Sequence, residues 1–250
     1  MKLALVQMTS EKAAVADNVM RMETFLNRAA ELSADIICFP EMNITGYVAP
    51  RKFPDVVIGW DDPRLDPLYA WSEGSPASIV AGIVERNSDG MPFVSQSVIR
   101  GGKVVGSYRK INIASDEAMM FSPGSKVLVN EHCGVKFGVL TCADQDREGL
   151  FALCAQKGAR LVLLPSAPGL FGAQARRNWR SGYQWWRETC RNGIGSYAKR
   201  LGIWTASTSQ AGRTIDEDFP GGGYIFDDHG CMVAETEDWS EGMIVGEVRI

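Results

Sequence analysis

Two stretches of this chain follow one plan. "MKLALVQM" (residues 1–8) and "VKFGVLTC" (135–142) match in their alternation of apolar and small residues. Each leads through a helical pattern to an apolar run broken by proline, "ADIICFPEM" (34–42) and "ARLVLLPSA" (159–167). The first helix is amphipathic, with Val19, Met22, Phe25, Leu26 and Ala29 on one face. The second, "REGLFALCAQKG", is shorter and stops at a C-cap glycine. Strand–helix–strand twice over implies two parallel β-α-β units, hence an α/β protein with a duplicated layout. Such units look alike in any α/β protein, so the match is equally compatible with two independent units of one type. In both cases Glu41 and Cys142 fall at the C-terminal ends of parallel strands, where open α/β sheets keep their ligands.

Between the units, residues 78–113 hold three strand-like runs separated by the turn signals "NSDG" and "RGGK", an antiparallel meander leading to Lys110. After residue 201 the pattern is again strand, hairpin, strand. Residues 48–76, with five prolines and two tryptophans, read as a long ordered loop, the wall of a pocket rather than a regular element. Neither a linker nor a low-complexity stretch divides the chain, so one domain over residues 1–250 is expected.

Several classes of function are disfavoured. A net charge of -4 and a pI near 5.4 give no electrostatic pull toward nucleic acid or an anionic membrane. The start, "MKLALVQMTSEK", lacks the apolar run of a signal peptide, and no stretch reaches membrane-spanning length. The six cysteines form no CxxC pair, as reduced thiols of a cytoplasmic protein would not. Only two histidines exist, His132 and His229, both in turn-like contexts without further ligands at metal spacing. No metal site and no histidine base is expected, which argues against serine-hydrolase and papain-like chemistry.

Three residues can supply chemistry: Glu41 in "FPEM", Lys110 in "YRKIN" and Cys142 in "LTCAD". Singly, each has a plain structural reading, and a cysteine ending a buried strand is more often a core thiol than a nucleophile. Together they complement one another. A cysteine attacks as thiolate and needs a lowered pKa or a base. A nearby ammonium lowers that pKa and stabilises an oxyanion. A desolvated glutamate takes the thiol proton and returns it to a leaving amine. Their separations, 69 and 32 residues, leave the fold to bring them together.

The chain resembles the nitrilase superfamily of carbon–nitrogen hydrolases, in its amidase and carbamoyl-hydrolase-like branch. The resemblance runs through "LALVQM", "ADIICFPEMNITGY", "YRKINI", "FSPG", "GVLTCAD", "GARLVLLPSA", "NGIGSYAKRLGIWTAS", "FPGGGYIFDDHGCMVAE" and "MIVGEVRI". It implies a catalytic triad of Glu41, Lys110 and Cys142, with Glu117 as a second, substrate-positioning glutamate. It also implies a four-layer α-β-β-α sandwich with two pseudo-symmetric halves, paired into a homodimer or larger homo-oligomer. The chain departs from the pattern in places. Asn112 stands where a histidine is common, Asp146 where an arginine is common, and the Pro-Glu pair after it is absent.

The expected activity is hydrolysis of a small amide or N-carbamoyl compound through a thioester, without cofactor. Lys110 and a backbone N–H, that of Ala143, would hold the oxyanion. Acyl transfer with the same triad, or an inactive ligand-binding relative, are the alternatives. The segment 176–191, with five arginines and three tryptophans, suits a pocket rim or an interface better than single-stranded nucleic acid.

Overall fold

A computed structural model describes residues 1–170 and 178–250. Arg176 and Arg177 of the arginine–tryptophan segment therefore lie outside the described residues.

The first half comprises β1 (Lys2–Gln7), α1 (Val15–Glu31), β2 (Ile36–Cys38), α2 (Asp66–Glu73), β3 (Ser78–Glu85), β4 (Phe93–Arg100) and β5 (Lys103–Arg109). The second begins with β6 (Leu128–His132), β7 (Val135–Val139), α3 (Glu148–Gln156) and β8 (Leu161–Ser166). It continues through α4 (Trp179–Cys190), a π-helical turn (Arg191–Gly195) and α5 (Ser196–Leu201) to β9 (Trp204–Ser209). The last strands are β10 (Ala211–Arg213), β11 (Asp218–Pro220), β12 (Gly223–Phe226), β13 (Met232–Glu235) and β14 (Gly242–Glu247).

Two six-stranded sheets result, ordered β14-β1-β2-β3-β4-β5 and β6-β7-β8-β9-β12-β13. Read in these directions, both run antiparallel, parallel, parallel, antiparallel, antiparallel. The duplication expected from the match of residues 1–8 with 135–142 is thus present as two equivalent sheets, with β1 and β7 in corresponding places.

Strand alternation explains how the sheets stack. Leu3 and Leu5 of β1, with Ile36 and Cys38 of β2, join a core shared with the second sheet. Their neighbours Ala4, Val6 and Ile37 point the other way, into a core with Val19, Met22, Leu26 and Ala29 of α1. Each large apolar side chain buried in this way contributes roughly 1.5–3 kcal/mol. On β8, consecutive residues Leu161 to Leu164 are all buried, as a parallel strand covered on both faces requires. The layers are helix, sheet, sheet, helix. Among the described residues no helix is long and apolar enough to cross a membrane.

Two readings need correction. Residues 48–76 are not loop throughout, because they contain α2. Pro67 sits in its first turn, where no backbone N–H is needed and the fixed φ suits the helix, so proline content misled there. His132 is not a turn residue. It ends β6, buried, with Nδ1 3.0 Å from Ser78 Oγ of the other sheet and 3.1 Å from the Arg100 guanidinium.

Candidate active site

Glu41 follows β2 and Pro40 in a turn whose next residue, Met42, takes a left-handed φ of 49°. That turn is clamped from both sheets. The Glu41 carbonyl accepts from Gln210 Nε2 at 2.9 Å, and Asn43 Oδ1 accepts from the Gly82 N–H at 2.9 Å. Lys110 lies immediately after β5. Its carbonyl accepts from Gly124 N at 2.7 Å, and a Cβ on Gly124 would stand 2.1 Å from the Arg109 oxygen. The glycine of "FSPG" is therefore required for a close backbone approach that seats the lysine.

Glu41, Lys110 and Glu117 meet in the interior, each at most 1% exposed. Lys110 Nζ donates to Glu41 Oε1 at 2.9 Å and to Glu117 Oε2 at 2.7 Å. Glu117 is held in turn by the Tyr47 hydroxyl at 2.8 Å and the Ala114 N–H at 3.2 Å. Cys142 stands against this group, half-buried, close enough for its thiol to be coupled to the charges of Glu41, Lys110 and Glu117. Its φ of 43° is strained for a non-glycine residue and belongs to the sharp exit from β7 into the turn Cys142–Asp146. Ala143 is the second residue of that turn, a position whose N–H has no acceptor within the helix itself. The Ala167 N–H, just past β8, favours the charged form of the Cys142 sulfur. Sequence reading missed Ala167, since nothing in "LPSA" marks a backbone donor.

Asp144 ties the two parts of the site together. Its buried carboxylate accepts from the Tyr108 hydroxyl at 2.6 Å, the Asn112 N–H at 2.8 Å and the Thr141 N–H at 2.8 Å. It thus grips residues two before and two after Lys110 and the residue before Cys142. Asn112, at the position that departs from the family pattern, adds a bond from Nδ2 to the Ala143 carbonyl at 2.6 Å. The substitution therefore supports the nucleophile loop rather than loosening it.

The electrostatics decide between a lowered thiol pKa and a base. Burial pushes the Cys142 thiol well above its ordinary value, the Glu41 charge adds to this, and Lys110 only partly opposes it. Lys110 does not create a standing thiolate because its charge is already shared by two carboxylates. Burial draws the lysine pKa down, but Glu41, Cys142 and Glu117 outweigh it and hold the ammonium well above its usual range. Burial raises Glu41 to about 7, against the pull of Lys110 and with a push from Glu117. The resting site is a neutral thiol, a permanent ammonium and a carboxyl poised near neutrality, the composition of a nucleophile awaiting a base.

The stretch 48–76, expected as the wall of a pocket, does line one through Val48 and Phe53. A pocket of about 250 Å³ is lined by Tyr47, Val48, Phe53 and Met120, together with Lys12, Asp216 and Glu217, which sequence reading had not placed there. At the opposite ends of β2 and β7, Asp35, His132 and Cys133 bring ligand-type atoms within 4.8 Å of one another. Residue spacing does not reveal this grouping, because Asp35 precedes β2 in the other sheet. The Arg100 guanidinium on His132 opposes a cation there.

The chain matches the family described as carbon-nitrogen hydrolase over residues 2–250. It is 27% identical over 256 residues to a glutamine-dependent NAD(+) synthetase of Acinetobacter baylyi, covering 100% of this chain and 44% of that protein. It is 26% identical over 166 residues to an (R)-stereoselective amidase of a Pseudomonas species, covering 66% of this chain and 59% of that protein. The chain thus spans about half the length of these curated relatives. In structure it is similar to an amidase of the nitrilase superfamily from Nesterenkonia AN1, with a TM-score of 0.83 at 21% identity, covering 98% of this chain and 89% of that one.

Proposed function

Because the chain belongs to the carbon–nitrogen hydrolase family, we propose that it hydrolyses a non-peptide carbon–nitrogen bond, cleaving a small amide or N-carbamoyl compound through a thioester on Cys142. The observation that supports this reading most is the buried Glu41–Lys110–Glu117 ion cluster set against a strained, protonated cysteine.

In the proposed cycle Glu41 takes the Sγ proton as the sulfur attacks the carbonyl carbon. Lys110 Nζ and the Ala143 N–H stabilise the oxyanion that forms. The tetrahedral adduct collapses as Glu41 passes its proton to the leaving nitrogen, which departs as ammonia or an amine. Water then gives a proton to Glu41 and attacks the thioester. The second adduct expels the sulfur, which recovers its proton from Glu41. Glu117 holds Lys110 and takes no proton in this scheme.

The base must be ionised to act, and Glu41 titrates at about 7. The logarithm of kcat/KM should rise with pH through the acid range and level off above about 7, with Glu41→Gln abolishing turnover rather than moving this limb. An acid limb that stays near the ordinary carboxylate range of about 4.3 would show that the ionisation of Glu41 does not control the rate.

The nucleophile can also be trapped by alkylation, its sulfur displacing fluoride from fluoroacetamide. A variant of the Nesterenkonia amidase carries the acetamide moiety of fluoroacetamide on its active site cysteine. With this chain, peptide mapping after fluoroacetamide treatment should find the modification on Cys142, ahead of the exposed Cys133 and Cys231. Labelling of the exposed pair with Cys142 untouched would count against a nucleophilic role.

The direct test is ammonia release from a panel of glutamine, asparagine, other ω-amides, N-carbamoyl amines and amino acids, aliphatic amides and nitriles. Similarity to a glutamine-dependent synthetase over the whole chain makes glutamine the first substrate to try. Release from amides or carbamoyl compounds is expected. Turnover of nitriles alone would reject the substrate class.

A further inference from the structure

The pocket beside the candidate site has a polarity of its own. Lys12, from the loop after β1, reaches Asp216 Oδ1 at 2.5 Å and Glu217 Oε2 at 3.0 Å, both from the turn between β10 and β11. Asp216 is half exposed, whereas the Glu217 side chain is only 5% exposed. Glu217 Oε1 has no hydrogen-bond partner among the described residues. A buried carboxylate oxygen without a donor is uncommon, because desolvation is uncompensated there. Two carboxylates share one ammonium, so the polar end of the pocket carries an excess of negative charge. The exposed Lys52 on the rim is solvated and cannot neutralise it at depth. The other walls, Val48, Phe53 and Met120, are apolar.

Tyr47 links this pocket to the chemistry. Its ring lines the pocket and its hydroxyl donates to Glu117 Oε1 at 2.8 Å, one hydrogen bond away from Lys110. A ligand lying along Tyr47 would thus have one end near the ion cluster and the other near Glu217. At about 250 Å³ the cavity is smaller than the roughly 300–1,000 Å³ that drug-sized ligands occupy, and it suits a short chain.

We infer that Glu217 Oε1 receives a substrate ammonium group, so that the preferred substrates are short amides carrying a charged amine at the end remote from the scissile bond. The inference rests on the amide-hydrolase reading above and names the substrate class for it. An uncharged alkyl amide leaves Oε1 unpaired, and a carboxylate-ended one meets the excess negative charge, so both are discriminated against.

Binding tests this apart from catalysis. Titration calorimetry on the Cys142→Ala protein would compare a series of ω-amino amides of increasing chain length with alkyl amides of matched length. At the best length the amine should bind about tenfold to a hundredfold more tightly, the range of a charge-assisted hydrogen bond. Adding Glu217→Gln, which keeps the side-chain shape, should remove that preference. Because the readout is a ratio between two ligands of one protein, a general loosening of the fold cancels. Equal affinities, no binding of either series, or a preference that survives Glu217→Gln would overturn the inference. The hydrolase reading fails separately, on the absence of Cys142-dependent ammonia release from wild-type protein.

Discussion

Cys142→Ala abolishes ammonia release, by on the order of 10⁶ in kcat if the site behaves as other covalent catalysts do when their nucleophile is removed. The size of the effect follows from what remains. Without sulfur, Glu41 could only activate water against an amide directly, the difficult single step that the thioester divides in two. Stability should hardly change. Cys142 is half-buried, its turn is held by Asp144 through the Thr141 N–H, and alanine tolerates the same backbone about as well as cysteine. Activity assayed beside a thermal melt therefore separates the readings. Lost turnover with an unchanged melt identifies a nucleophile. Turnover surviving at more than about a hundredth of wild type would return Cys142 to the role of core thiol, since oxyanion stabilisation and binding alone do not sustain that rate.

Much of this architecture was legible because it is written locally. The alternation in "LALVQM" and "FGVLTC", the amphipathic stretch over residues 15–31 and the turn glycines of the meander each record a strand, a helix or a hairpin at its own position. Glu41, Lys110 and Cys142 were legible as complementary chemistry, and the fold then placed them together. Asp144 was visible only as a motif residue. Its role depends on partners at 108, 112 and 141, the first in β5 of the other sheet and the second just after it, and such pairings leave no periodic trace. Lys12 and Glu217 were missed for the same reason, being 205 residues apart in the chain. The protonation of the thiol was left open for another reason, since a lowered pKa or a base would serve equally. A lysine beside a cysteine predicts a thiolate only if its charge is free, and Lys110 is shared by two carboxylates that residue spacing does not reveal.

That sharing gives the largest expected effect on stability. Lys110→Met keeps the length and burial of the side chain and removes only the charge, leaving Glu41 and Glu117 facing each other in the interior. Breaking a buried ion network by deleting one partner costs about 3–5 kcal/mol. For a chain of this size that lowers Tm by roughly 10 °C, at about 2–4 °C per kcal/mol. The loss has a defined pH dependence. In the variant Glu41, already raised by burial, loses the lysine that pulled it down and sits further above its unfolded value, so the folded state binds more protons than the unfolded one, and its stability relative to wild type improves as pH falls. A melt at neutral pH should show the full deficit and one in mild acid a smaller one. Adding Glu117→Gln removes the like charge, so the double variant should recover stability beyond the sum of the single effects. Equal deficits at both pH values, with additive single effects, would mean that Lys110 fills space and that its ammonium does not hold the carboxylates. Turnover gives no such rescue. With the oxyanion donor gone, activity should remain depressed by at least about 10²–10³ in every combination, because the double variant restores charge balance to the fold but not a cation to the reacting carbonyl.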